Sequence, residues 1–237
     1  MTHRPAANTI EGMLKRLPPH RARELVADAA LLPASNPRVS YPSWYLHRWH
    51  FLPEGYLSRR SAAWYEHIIR NVYNQGLESR TIAAVVGAVA ALRPRSVLEV
   101  GSGPGRLLEA LAYDRVGEDL VGVDLSPYLL ERARRRLGGY PVRLVHADGL
   151  ALPADEGAFD VAVASHYVGH LPAPLRREAV LELARVVRPG GHVVIVDHRW
   201  HPSPRLEELR ETSRETQAPG FVAMSVFERV ERAEGHP

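Results

Sequence analysis

VLEVGSGPGRLLEALAYDRVGEDLVGVDLS, residues 97–126, holds the densest pattern in this 237-residue chain. Val97 to Val100 form a short apolar run that reads as a buried strand. A glycine-rich turn follows, Gly101-Ser102-Gly103-Pro104-Gly105. Leu107, Leu108, Leu111 and Ala112 then recur at helical spacing. A second apolar run, Leu120 to Val123, ends in Asp124. The order is strand, tight turn, helix, strand, with an acid at the second strand's tip. In a doubly wound sheet that acid sits beside the glycine turn, within reach of a ribose.

The glycine spacing separates two nucleotide-binding types. The dinucleotide fingerprint G-x-G-x-x-G uses its third glycine to let helix and sheet pack closely. Here the glycines are 101, 103 and 105, and Arg stands at 106. The pattern G-x-G-x-G, with Glu99 two residues upstream and Asp124 ending the second strand, resembles the class I S-adenosylmethionine-dependent methyltransferases. Their turn has the form (D/E)-x-G-x-G-x-G. The likeness runs to about residue 198. Val142 to Ala147 reads as a third strand followed by Asp148-Gly149, and Gly157-Ala158-Phe159-Asp160 leads into a fourth, Val161 to Ser165. His170-Leu171-Pro172, an amphipathic helix Arg177 to Val187, Arg188-Pro189-Gly190-Gly191 and a strand His192 to Asp197 complete the series. This order is similar to that of the ubiquinone/menaquinone-biosynthesis type, which acts on small molecules. An NAD-binding domain is the competing reading, and both the glycine spacing and the RPGG segment oppose it.

The resemblance implies an α/β, Rossmann-like, doubly wound and mainly parallel sheet with S-adenosyl-L-methionine as cofactor. Gly101, Ser102, Gly103 and Gly105 would hold the cofactor's methionine part, where glycine permits close backbone approach and the helix N-terminus attracts its carboxylate. Glu99 would organise the turn and the ligand amine, and Asp124 with Leu125 would take the ribose. Asp148 would meet the adenine amine, with Ala147 and Leu150 flanking the ring, and Gly149 and Ser165 are further expected cofactor contacts. Turn-forming roles for Glu99 and Asp148 are the bland alternatives.

Methyl transfer asks the protein for alignment and exclusion of water. An acceptor hydroxyl or acidic carbon also needs a base. The candidates are histidines at strand tips: His166 and His170 after the fourth strand, His198 and His201 after the fifth. A His at position 170 is common in the resembled family, whereas His166, Tyr167 and His198 are less expected. The pairs His166/His170, His198/His201 and His47/His50 also allow a metal reading, which the scarcity of accompanying carboxylates disfavours; no metal is expected.

Bulk properties narrow the class. No apolar run reaches bilayer length, and the longest, Ile82 to Leu92, suits a helix beside the first strand. No apolar signal segment opens the chain, so a cytoplasmic protein is expected. There are no cysteines, which excludes disulfides, Cys-ligated zinc and a Cys nucleophile. The net charge is only +3, and Lys15 is the single lysine. Arg132, Arg134, Arg135 and Arg136 form the densest basic cluster, read as a solvated helix face rather than a nucleic-acid patch. The (D/N)-P-P-(Y/F) motif of base amino-group methylation is absent, and Ser165-His166-Tyr167-Val168 stands in its place. A nucleic-acid partner is therefore not expected.

Two divisions are expected: an arm and aromatic-rich lid over 1–76, and a methyltransferase domain over 77–237. Residues 1–40 are rich in Pro, Ala and Arg, with one helix predicted from Glu24 to Leu32. Residues 41–73 hold nine of the 17 aromatics, and Ser61 to Gln75 reads as a helix ended by Gly76. Some of these rings are expected to pack as core and some, within Tyr41 to Tyr56, to touch substrate. The C-terminus departs from the resembled pattern. A helix is predicted from Leu206 to Thr216, while Phe221 to Val230 fits strand or helix. A shortened last strand pair would leave an open sheet edge and invite a homodimer. The expected activity is methyl transfer to a small, partly apolar acceptor through O, N or C. The alternatives are a protein of this fold that binds the cofactor without transfer, and a nucleic-acid methyltransferase, which salt-dependent affinity for RNA or DNA would reveal.

Overall fold

The computed structural model describes residues 17–47, 52–68, 77–199, 203–217 and 221–231. Their centre is one seven-stranded sheet of order β3-β2-β1-β4-β5-β7-β6. Its strands are β1 (Ser96–Val100), β2 (Asp119–Asp124), β3 (Val142–His146), β4 (Phe159–Ser165), β5 (Val187–His198), β6 (Leu209–Gln217) and β7 (Val222–Arg229). The first five run parallel, and β7 lies antiparallel between β5 and β6. The strand order reverses between β1 and β4, which opens a ligand crevice at their carboxyl ends.

The central strands are continuous apolar runs because both faces are covered. One face carries α3 (Leu77–Ala91), α4 (Arg106–Tyr113) and α5 (Pro127–Arg136), with Val85, Val89, Leu108, Leu111 and Ala133 in the core. The other face carries α6 (Arg176–Val186) through Val180, Leu183 and Ala184. Gly122 in β2 is required by this packing, since a Cβ there would stand 2.5 Å from Leu108 Cδ1. The N-terminal helices α1 (Pro19–Ala30) and α2 (Arg59–Ile68) join a third core built on Leu25, Leu57, Tyr45, Leu125, Tyr128 and Leu129. No described helix is long and apolar enough to cross a membrane.

Several element boundaries differ from expectation. Helix α1 begins at Pro19 rather than Glu24, because proline at the first helical position is pre-set for helix and has no N–H to satisfy. Helix α3 starts at Leu77, earlier than Ile82. Helix α2 starts at Arg59, and its expected continuation to Gln75 lies outside the described residues. Trp64 of this helix is half exposed. The RPGG segment belongs to β5 as a bulge: Phe159 pairs with Val187, Val161 with His192. A Cβ on Gly191 would press on Asp160 O at 2.5 Å, so this glycine serves packing. Asp160 in turn accepts from the Arg95 and Ser96 backbone at 2.7 and 3.0 Å and pairs with Arg188.

The largest correction is at the C-terminus. The helix predicted from Leu206 to Thr216 is instead the strand β6, in a hairpin with β7. Beyond Leu209 this segment, RETSRETQ, has no apolar stripe with which to bury a helix, and ladder bonds to β7 override its local preference. Thr212 Oγ1 donates to Val226 O at 3.1 Å and Ser225 Oγ to Glu211 Oε1 at 3.0 Å. The last strand pair is thus supplied by the chain itself. Its outer edge is charged and exposed, a pattern that discourages edge pairing.

The arginine cluster is also more than a solvated face. Arg132 and Arg136 both pair with Glu66 of α2, and Arg136 adds Glu109 at 3.2 Å. Arg136 Nη1 donates to Pro104 O at 2.7 Å, so α5 braces α2 and the glycine turn together.

Candidate active site

The crevice at the carboxyl ends of β1, β2 and β4 is a cavity open to solvent, with about 720 Å³ of empty space. Its floor is built by the glycine turn. Gly101 and Ser102 donate to Val123 O at 2.8 and 3.0 Å, which folds the turn back over β2. Gly103, with φ +52°, has open space where a side chain would stand, so a ligand can approach its backbone closely. Gly105, φ +76°, caps α4, and a Cβ there would press on Ala133 and Leu137.

Asp124 stands on the wall, buried, with both carboxylate oxygens engaged. Oδ2 accepts from Gly103 N at 2.7 Å and Oδ1 from Ser126 N at 2.7 Å. A carboxylate oxygen has acceptor capacity beyond one such bond, and Asp124 lines the cavity. Burial raises this carboxyl from 3.8 to about 6, against the lowering effect of those backbone bonds. Glu99 is buried and does not line the cavity, and its Oε2 lacks a hydrogen-bond partner among the described residues. Burial, then the nearby Asp124 charge, pushes it well above the usual carboxylate range.

Of the other expected contacts, Leu125, Ala147, Asp148, Gly149, His166 and His170 reach the wall. Asp148 also closes its own turn, with Oδ1 accepting from Leu150 N at 2.9 Å. Ser102, Gly105, Leu150, Ser165 and His198 do not line the cavity. Ser165 is held in the sheet opposite Val196, and His201 and His50 lie outside the described residues. Among the described residues no three His, Asp or Glu side chains gather as a metal site.

His166 adopts a left-handed backbone, φ +54°, and its N–H donates to Val196 O at 2.7 Å. Strain of this kind persists only where surrounding structure imposes it, and it turns the imidazole toward the cavity wall. The His198 ring lies behind it, centroids 5.2 Å apart. Burial lowers both imidazoles below the ordinary 6.5, and the Asp197 carboxylate partly opposes this. Asp197 accepts from Gly169 N at 2.5 Å and His198 N at 3.0 Å, which fixes the short 3₁₀ turn carrying His170. Of the wall residues, His166 is therefore favoured in its neutral form.

Tyr167 is the wall residue whose role the sequence concealed. Its ring lies against Gly101, where a Cβ would come within 3.0 Å of Tyr167 Cβ. Its buried hydroxyl, without a hydrogen-bond partner among the described residues, packs on Gly149. Gly101 and Gly149 thus make room for this ring as well as for any ligand. A Cβ on Gly149 would overlap the hydroxyl and stand 2.7 Å from Val100 Cγ1. Gly149→Ala should cost about 1–3 kcal/mol, lowering Tm by roughly 2–10 °C in a thermal melt. An unchanged Tm would show that Tyr167 yields freely.

Over the remaining side lies a ladder of tyrosines. Tyr41 stacks on Tyr45 at 6.1 Å, Tyr45 meets Tyr56 at 6.0 Å, and Tyr56 meets Tyr65 at 5.8 Å. Trp44 packs edge-on to Tyr45 at 5.7 Å. Tyr45, Tyr56, Tyr65 and Trp44 line the cavity, and Ser126 Oγ donates to Tyr56 O at 2.6 Å. The described rings Tyr41, Trp44, Tyr45, Tyr56 and Tyr65 therefore serve as core, cavity wall or both.

Residues 98–195 match the sequence profile of a methyltransferase domain. A demethylmenaquinone methyltransferase of Clavibacter sepedonicus is 34% identical over 142 residues, 60% of this chain and 56% of that protein. One from Thermus thermophilus is 35% identical over 114 residues, 47% of this chain and 50% of that protein. The chain thus spans about half the length of these curated relatives. Two solved structures share the fold. The N-methyltransferase NodS of Bradyrhizobium japonicum, in complex with S-adenosylhomocysteine, has TM-score 0.53 and 22% identity, over 63% of this chain and 87% of that one. Magnesium protoporphyrin IX methyltransferase of Synechocystis, with bound S-adenosylmethionine, has TM-score 0.54 and 16% identity, over 64% and 79%. The segment 98–195, which contributes the glycine turn, Asp124, Asp148 and His166, is thus similar to a methyltransferase domain and lies in a Rossmann-like sheet.

Proposed function

We propose that the protein transfers a methyl group from S-adenosylmethionine to a small, partly apolar acceptor. The observation that carries this reading is convergence on one cavity: the glycine turn, the doubly anchored Asp124 and the neutral His166 face the same space. The residues fit the cofactor. Gly101 and Gly103 leave the backbone open to its amino-acid part, Asp124 offers acceptor lone pairs to ribose hydroxyls, and Asp148 between Ala147 and Gly149 suits a purine edge. When bound, the cofactor supplies a methyl group already activated on a sulfonium. The chain holds the acceptor in line, excludes water beneath the tyrosine ladder, and places His166 to take the proton that a hydroxyl or acidic carbon gives up as its bond to the methyl carbon forms. His170 lies on the same wall and orients the acceptor.

Residues 1–76 act as the arm and lid of this site, and 77–237 as the transferase domain. A small acceptor suits the aromatic and histidine-lined wall better than a nucleic acid does, because Arg132 and Arg136 are committed to Glu66 and Glu109. Calorimetry with S-adenosylmethionine and S-adenosylhomocysteine, followed by an acceptor screen with labelled methyl donor, tests the proposal. Micromolar binding with labelled product is expected. Absence of binding would overturn it. Binding without product from any acceptor would leave a cofactor-binding protein, and salt-dependent affinity for RNA would favour the nucleic-acid reading.

A further inference from the structure

His146 ends β3 and is buried, 4% exposed, at a junction of three segments. Its Nδ1 accepts from the Asn36 backbone N–H at 2.8 Å. That bond fixes the tautomer: Nδ1 carries no proton, so the neutral ring carries it on Nε2. Nε2 donates to Leu125 O at 3.0 Å and also meets the Tyr41 hydroxyl at 3.3 Å. Asn36 strengthens the junction, donating from Nδ2 to His146 O at 3.5 Å. One imidazole therefore ties the N-terminal arm, through Asn36 and Tyr41, to the loop after β2. Leu125 of that loop lines the cavity beside Asp124, and Tyr41 begins the tyrosine ladder that covers it.

We propose that His146 is a positioning residue of the cofactor site, a latch that holds the tyrosine ladder closed while its ring is neutral and releases the arm on protonation. The proposal rests on the cofactor reading above. A proton on Nδ1 would face the Asn36 N–H, donor against donor, so the charged ring cannot keep both ties. Burial lowers this imidazole below its ordinary 6.5, the direction such bonding requires. The sign follows from linkage. A histidine with a lowered folded-state value contributes its stabilisation in full above 6.5 and loses it as pH falls through the lowered value. The titratable groups around it are Tyr41 on the arm, Tyr128 of α5 beyond Tyr41, and Asp124, its register partner on β2. Both tyrosines are raised by burial and stay neutral in this window. Asp124, at about 6, titrates within it, so a variant at position 146 is needed to separate the two.

The test is hydrogen exchange of the segment containing Asn36 in the ligand-free protein between pH 7.5 and 5, corrected for intrinsic exchange. Wild type and His146→Gln are compared, since glutamine can keep the bond to Leu125 O but does not titrate. Wild-type protection at Asn36 should fall about tenfold more than that of the variant across this range. S-adenosylhomocysteine affinity should lose a similar extra factor in wild type, leaving in the variant only the fall due to Asp124. His146→Phe should expose the arm at pH 7.5 already, and native exchange there would overturn the latch. Identical pH profiles in wild type and His146→Gln would also overturn it. A latch profile in exchange with no S-adenosylhomocysteine binding at any pH would uphold the arm mechanism and remove the cofactor reading instead.

Discussion

Asp124→Ala should weaken S-adenosylhomocysteine binding by about a hundredfold to ten-thousandfold, measured by calorimetry. Hydrogen bonds to a charged acceptor contribute roughly 1.5–3 kcal/mol each, and each 1.4 kcal/mol is about tenfold in affinity. Two ribose hydroxyls would lose their acceptor at once. The same substitution also frees the N–H groups of Gly103 and Ser126, so the turn that should cradle the ligand loses its brace. Asn is no conservative replacement here. Both carboxylate oxygens accept from backbone N–H groups, and an amide must turn its NH₂ against one of them. The pH dependence follows from burial. With its carboxyl raised to about 6, Asp124 is protonated more readily in the fold than in the unfolded chain. Its burial therefore favours the fold most below 3.8, and that advantage is lost as pH rises through about 6. Ligand binding should run the other way, because in the proposed role the ionised acceptor would hold the hydroxyls. Affinity should be full above pH 7 and decline as pH falls through about 6. Affinity in Asp124→Ala equal to wild type would remove Asp124 from the site.

His166→Asn should lower kcat by about a hundredfold to ten-thousandfold once an acceptor is in hand, the usual contribution of a general base. Cofactor affinity should change by no more than a few-fold. Asn is the informative substitution because it tolerates the left-handed backbone that His166 adopts, whereas Ala would add strain and confuse the readout. Since burial lowers the imidazole below 6.5, wild-type kcat should be flat above that pH and fall below it. The Asn variant should lose this limb. A variant with native kcat would mean either that the acceptor is an amine needing no base or that His170 serves it. His170→Asn tested beside it separates the two.

Much of this site was legible in the chain because it is local in sequence. A glycine needing positive φ, a strand ending in an acid and a helix starting at Arg106 follow one another within 30 residues, and each leaves its own residue signature. Asp124 and the glycine turn could be placed on that basis. Glu99 could not be placed so well. Its position in the motif suggested a ligand contact, while its carboxylate is buried and absent from the cavity wall. His166 and His198 read alike as strand-tip histidines, and only the register of β4 against β5 sets one on the cavity wall and the other behind it.

The hydrophobic runs and turn chemistry of residues 97–197 therefore determined a parallel doubly wound sheet, because such a pattern buries well in no other arrangement. Long-range pairing settled the rest. The strand β6 exists because β7 offers it a ladder, against its own weak helical pattern. The slot for Tyr167 exists because Gly101 and Gly149, 48 positions apart, face the same ring. His146 meets Asn36 across 110 positions. No window of sequence contains both halves of such contacts, and their energy appears only when the chain has closed on itself.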